Sequence, residues 1–114
     1  MSAVIKLRRL DGVVILDTSG RLTLGDGTVT LRDTLRKLLD EGERKLVMNL
    51  EDVDYIDSAG LGELVTAFAV VRAQAGQLKL LKLTHRVHDL LQITKLLTVF
   101  DVFDSETEAI KSMR

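Results

Sequence analysis

Met48-Asn49-Leu50-Glu51-Asp52-Val53-Asp54-Tyr55-Ile56-Asp57-Ser58-Ala59-Gly60-Leu61-Gly62 is the segment from which the architecture unfolds. An apolar run stops at Leu50, and the acidic residues after it read as a turn. Asp57-Ser58 then opens a segment of small residues. Beyond it Leu61, Leu64, Val65, Phe68 and Val71 recur at helical spacing, which predicts a helix from about Ser58 to Gln74 with Gly76 as its stop. Asp57 and Ser58 are thereby expected where a strand and loop pass into a helix N-terminus. The first backbone N–H groups lack intrahelical partners there, and the helix dipole favours negative charge. A serine at that place is expected to expose its hydroxyl, to be bonded by backbone, and to accept a phosphate readily.

Outward from this centre, strands and helices alternate. Toward the N-terminus, Val4–Leu10 reads as an edge strand with Ile5 and Leu7 on the side opposite Lys6 and Arg8. Asp11-Gly12 marks a hairpin, and Val13–Leu16 has the continuous β-branched character of a strand buried on both faces. Asp17–Gly20 is expected to end that strand, and residues 21–28, carrying Gly25 and Gly27, to form a flexible loop. A helix over Thr30–Glu41 is predicted by Leu31, Leu35, Leu38 and Leu39, followed by a strand at Lys45–Leu50. Toward the C-terminus come a strand at Leu78–Leu83, a helix from Thr84 to Ile93 and a short strand at Thr98–Val102. The Ser105-x-x-Glu108 capping box opens a last helix to about Met113. Ala67, Ala69, Val70, Ala73 and Ala75 give the central helix a small apolar face expected to approach a sheet closely. The order β-β-α-β-α-β-α-β-α predicts an α/β fold over residues 1–114 as one domain. Its sheet is mostly parallel or mixed, with four to five strands and about four helices packed on it.

Composition narrows the function classes. Sixteen basic and 17 acidic residues leave a net charge of −1, which offers no electrostatic footprint for nucleic acid or an anionic membrane. Aromatics are 4% of the chain, too few for a base-stacking platform. No apolar run reaches the ~20 residues of a membrane span, and no signal-type apolar segment opens the chain, so a cytoplasmic protein is expected. Without cysteine there is neither disulfide nor thiolate chemistry.

Candidate catalytic motifs fail one by one. Gly25-Asp26-Gly27-Thr28 lacks the Lys-Ser/Thr of a phosphate-binding loop. Asp52, Asp54 and Asp57 do not keep calcium-loop spacing, because Tyr55 and Ile56 interrupt them. His85 and His88 lack the two further ligands that zinc needs, and Ser58 does not sit in a Gly-x-Ser-x-Gly elbow. No catalytic residue, metal or cofactor is expected, and the chain is read as a non-enzyme.

Asp57-Ser58-Ala59-Gly60-Leu61, after an apolar strand and an acidic-x-Val-x-Tyr-Ile segment, resembles the signature of the STAS domain. That family includes the bacterial anti-sigma factor antagonists, whose usual pattern is Asp-Ser-(Ser or Thr)-Gly-Leu with the serine after the Asp as phosphoacceptor. Ser58 matches the acceptor, while Ala59 departs from the second hydroxyl position. The family's Gly-x-Leu-Asp loop reads Gly20-Arg21-Leu22-Thr23 here, with Thr23 at the Asp position. The STAS fold has the same order of elements, so the resemblance spans nearly the whole chain.

The resemblance implies a protein that, with Ser58 unphosphorylated, binds an anti-sigma factor that is also a serine kinase of the histidine-kinase-like ATPase type, and so frees a sigma factor. The kinase would phosphorylate Ser58 and a serine phosphatase would reverse it. Asp57, Ser58, Ala59, Gly60, Leu61 and Thr23 are the expected partner-binding residues. The alternative is an accessory or scaffold STAS subunit of a lipid-transport or signalling assembly without a phosphoserine cycle. A monomer is expected, or a weak dimer through the Val4–Leu10 edge.

One local feature bears on how such a switch would act. From Leu46 to Val71 there is no Lys or Arg, while Glu51, Asp52, Asp54, Asp57 and Glu63 fall within the window. A phosphate on Ser58 would add about −1.5 to −2 charges to an acidic stretch with no basic neighbour in sequence. The expected mechanism is repulsion and steric blocking of the partner at the surface, with little change of fold.

Overall fold

The computed structural model describes residues 3–114. Nine elements follow in the predicted order: β1 (Val4–Leu10), β2 (Val13–Leu22), α1 (Asp26–Asp40), β3 (Lys45–Ile56), α2 (Ser58–Ala73), β4 (Gln77–Leu81), α3 (His85–Ile93), β5 (Val102–Phe103) and α4 (Glu106–Lys111). The five strands form one sheet in sequence order. β1 runs antiparallel to β2, and the remaining neighbours are parallel. The mixed α/β architecture expected from the alternation is the one observed.

The β1–β2 hairpin turns on Asp11 and Gly12, both at positive φ (53° and 77°), the geometry that matches strand twist in two-residue turns. The sheet then separates two cores. On one face Leu46, Met48 and Leu50 of β3 pack with Leu31, Leu35 and Leu38 of α1, Leu64 and Val71 of α2, and Val87 and Leu91 of α3. On the other, Val13, Ile15, Val47 and Leu81 meet Ala109, Ile110 and Met113 at and after α4. Strands β2 and β3 are therefore apolar on both sides, the reason their centres read as unbroken apolar runs. Each fully buried leucine contributes roughly 1.5–3 kcal/mol relative to an exposed one.

Several local expectations are corrected by tertiary pairing. β2 does not end at Asp17–Gly20 but continues to Leu22, and β3 does not turn at Glu51–Asp54 but continues to Ile56. The two extensions pair with each other, Ser19 with Asp52, Gly20 with Val53, Arg21 with Tyr55 and Leu22 with Ile56, across two register irregularities. Asp disfavours strands locally, but here Val53 is buried while Glu51, Asp52 and Asp54 stay exposed, so pairing overrides propensity. The expected flexible loop at 21–28 is only three residues long. Gly25, at φ 103°, caps α1, which begins at Asp26 rather than Thr30.

The small face expected on α2 is also reassigned. Ala67 is buried against the core, whereas Ala69, Val70, Ala73 and Ala75 are exposed. Leu61, Leu64 and Val71 make the inward stripe instead. β4 stops at Leu81 because Lys82 takes a positive φ of 54°. The fifth strand lies at Val102–Phe103 rather than 98–102, since Phe100 turns into the core ahead of it. β1 is exposed along almost its whole length, with only Ile5 half-buried. Leu7 lies 39% exposed, and Arg8 is tied to Asp17 and Glu106. Among the described residues no helix is long and apolar enough to cross a membrane.

Candidate functional site

The long β2–β3 pair delivers its two C-terminal ends to one corner of the molecule, where α1 and α2 both begin. Two glycines allow this convergence. A Cβ on Gly60 would stand 2.0 Å from the Leu22 carbonyl oxygen and 2.9 Å from Cγ1 of Ile56. A Cβ on Gly27 would stand 2.6 Å from the carbonyl oxygen of Arg21. The first turns of both helices thus lie directly on the backbone at the end of β2. The close approach that Gly60 provides is to its own chain, and Leu61 beside it is only 6% exposed, within the core. Both lie beneath the surface they were expected to offer a partner.

Asp57 ties the corner together. As the N-cap of α2 its carboxylate accepts from the Gly60 N–H at 2.8 Å, and its other oxygen accepts from the Leu24 N–H at 3.1 Å. The Asp57 N–H in turn donates to the Leu22 carbonyl at 3.3 Å. One side chain therefore satisfies a helix start and fastens the Thr23–Gly25 loop to it. The backbone N–H groups of Gly60 and Leu24 hold the Asp57 carboxyl below the usual carboxylate range.

Ser58, at the first helical position, is exposed, and its hydroxyl takes part in none of the hydrogen bonds among the described residues. The sequence suggested a hydroxyl engaged by backbone. Instead Asp57 takes the capping duty, which leaves the Ser58 oxygen free at the positive end of a 16-residue helix. Ala59 and Thr23 are half-buried.

Two features of the corner escaped the linear reading. Leu24, which the sequence left unremarked, is 79% exposed, and its backbone is held against the start of α2 through Asp57. A lone leucine between Thr23 and Gly25 was the available signal. The second is cationic. Arg21 from β2 and Arg86 from α3 both approach the ring of Tyr55, at 4.9 and 5.3 Å from its centroid. The stretch from Leu46 to Val71 has no basic residue of its own, but the fold brings two to Tyr55, three positions before Ser58.

Elsewhere the titratable groups are structural. Asp17 is held below the usual carboxylate range, first by its hydrogen bond to Arg8 and also by the one from Asn49. Arg32 on α1 pairs with Glu63 on α2 at 2.7 Å. His85 and His88 both approach Asp89, at 3.2 and 3.6 Å, and no group of three or more metal-ligating side chains occurs among the described residues.

Residues 4–109 match the model of the STAS domain family. The anti-sigma-B factor antagonist of Bacillus subtilis is 32% identical over 102 residues, an alignment covering 90% of this chain and 92% of that protein. The anti-sigma F factor antagonist of Paenibacillus polymyxa is 24% identical over 118 positions, covering 99% and 97%. Among solved structures, an anti-sigma factor antagonist from Mycobacterium paratuberculosis superposes with a TM-score of 0.84 at 18% identity, covering 99% of this chain and 95% of that one. The phosphorylated form of the Bacillus cell fate determinant SpoIIAA superposes at 0.75 with 21% identity, covering 97% and 100%. At those identities the structural matches speak to the fold.

Proposed function

Because this chain belongs to the STAS domain family, we propose that it is an anti-sigma factor antagonist whose binding is controlled by phosphorylation of Ser58. The observation that carries the reading is the exposed, unengaged Ser58 hydroxyl on a helix start that Asp57 already caps. The dephosphorylated corner, with Ser58, Ala59, Thr23 and exposed Leu24, binds an anti-sigma factor of the ATPase-kinase type in the cytoplasm and so releases a sigma factor. Phosphorylation ends that binding. The Ser58 oxygen attacks the γ-phosphorus of the kinase's ATP, ADP leaves, and the hydroxyl proton passes to a base of the kinase. A phosphatase then uses water to return serine and inorganic phosphate. Ser58 is the substrate of both steps and this chain supplies no catalyst.

The switch acts at the surface. A phosphate at the α2 start meets helix N–H groups without needing the fold to move. Buried against the partner without a counter-charge, it would cost about 3–5 kcal/mol, or roughly a hundred- to several-thousand-fold in affinity. Incubation with the candidate kinase and ATP, followed by mapping of the modified residue, tests the assignment. Label is expected on Ser58 and absent from Ser58→Ala. Label persisting in Ser58→Ala would remove the proposal. An accessory subunit without a phosphoserine cycle would instead bind its partner equally well as wild type and as Ser58→Asp.

A further inference from the structure

Arg21 and Arg86 stand apart from most arginines of the molecule. Arg8, Arg9, Arg32 and Arg114 each lie within ion-pair distance of an Asp or Glu. Arg44 donates to the carbonyl oxygens of Leu39 and Glu43. Arg21 and Arg86 are exposed, come from different elements, and converge on one aromatic ring, yet no carboxylate lies within 4 Å of either among the described residues. Both cations are thus held at one ring without a counter-ion among the described residues. The ring of Tyr55 orients both guanidiniums and leaves their N–H edges available. The loop beside Arg21 does not neutralise it, because residue 23 is threonine. Among the described residues the acids of β3 form no ion pair with it either: Glu51 pairs with Lys82, Asp52 and Asp54 are exposed without an arginine partner, and the Asp57 carboxylate at the start of α2 is taken by backbone N–H groups.

We propose that Arg21 and Arg86, stacked on Tyr55, form a basic anchor that receives an acidic segment of the protein partner whose kinase activity is directed at Ser58. The inference rests on the partner-switching reading and adds the chemistry of the partner's matching surface. It places carboxylates on the partner opposite this ring, next to the portion that covers Ser58. The anchor supplies attraction beside a surface that is otherwise acidic, with Asp52 and Asp54 exposed along the same strand. Its charges set register and on-rate, as complementary pairs at an interface do. A phosphate added to Ser58 then sets its negative charge against the partner's carboxylates and repels them.

The experiment is titration calorimetry with the kinase that labels Ser58, nucleotide-free and then with ADP, against four forms of the full chain: wild type, R21E/R86E, R21K/R86K and Y55L. We expect R21E/R86E to bind at least about tenfold more weakly and to lose most of the salt dependence of binding. R21K/R86K should recover part of the affinity because it keeps the charge. Y55L should weaken binding by less than R21E/R86E. Thermal melts should match between wild type and R21E/R86E, since both side chains lie outside the core. Undiminished, equally salt-sensitive binding by R21E/R86E would overturn the anchor while leaving the phosphoserine switch standing. Binding impaired only when nucleotide is present would assign the arginines to the nucleotide's phosphates and overturn it as well. If no kinase labels Ser58 or binds wild type, the switch and the anchor fall together.

Discussion

At the scale of single residues, the corner depends on a division of labour between Asp57 and Ser58. Asp57 accepts from Gly60 and Leu24, so its carboxylate is occupied and its neighbour's hydroxyl is free. Replacing Asp57 by Ala removes both acceptors. The thermal midpoint should fall by a few degrees, and amide exchange at Leu24 and Gly60 should accelerate. Asn should restore part of the cap through its single carbonyl oxygen. Ser58→Ala removes only an exposed hydroxyl, so its unfolding midpoint in urea should match wild type and its partner affinity should persist. Ser58→Asp should match wild type in stability too, because an acid at a helix start is favourable, yet lose partner binding by roughly a hundredfold. The contrast between unchanged stability and lost binding separates a switch residue from a structural one.

At the scale of elements, the convergence of α1 and α2 on the end of β2 is enforced first by contact with the β2 backbone. A methyl group at Gly60 meets the Leu22 carbonyl at 2.0 Å, and neither partner is the end of a flexible side chain. Gly60→Ala should therefore destabilise the fold by about 1–3 kcal/mol or more, read from the urea midpoint, and should displace the α2 start. Gly62, two residues on, has nothing within 4 Å of its Cβ position. Gly62→Ala should stabilise α2 by about 0.5–1 kcal/mol through helix propensity. Two glycines in one short motif thus predict opposite signs.

For the molecule as a whole, the acid response follows from two depressed carboxyls. Asp17 is held down by Arg8 and Asn49, and Asp57 by backbone N–H groups. In the unfolded chain each returns to an ordinary value near 4, so below that pH the unfolded state binds protons that the native state still refuses. Stability from these groups is present in full above about pH 4 and is lost as pH falls toward their lower native values. Urea denaturation across this range should show a stability that is level above it and declines below it. The decline should be shallower in Asp17→Asn, which removes the carboxyl that Arg8 holds down.

The sequence by itself determined the order of nine elements, the α/β class and the position of Ser58 at a helix start. Each of these is written in local periodicity, turn chemistry or capping, which act over a few residues. Only the tertiary structure decided that Glu51–Asp54 is strand rather than turn, because pairing with β2 outweighs the poor strand propensity of its aspartates. It also decided that Gly60 and Leu61 serve the interior, that Leu24 stands exposed beside Ser58, and that Arg21 and Arg86 meet at Tyr55. Those arrangements join residues from four separate elements. No linear spacing encodes them, since they arise when parallel strands and the helices between them are laid side by side.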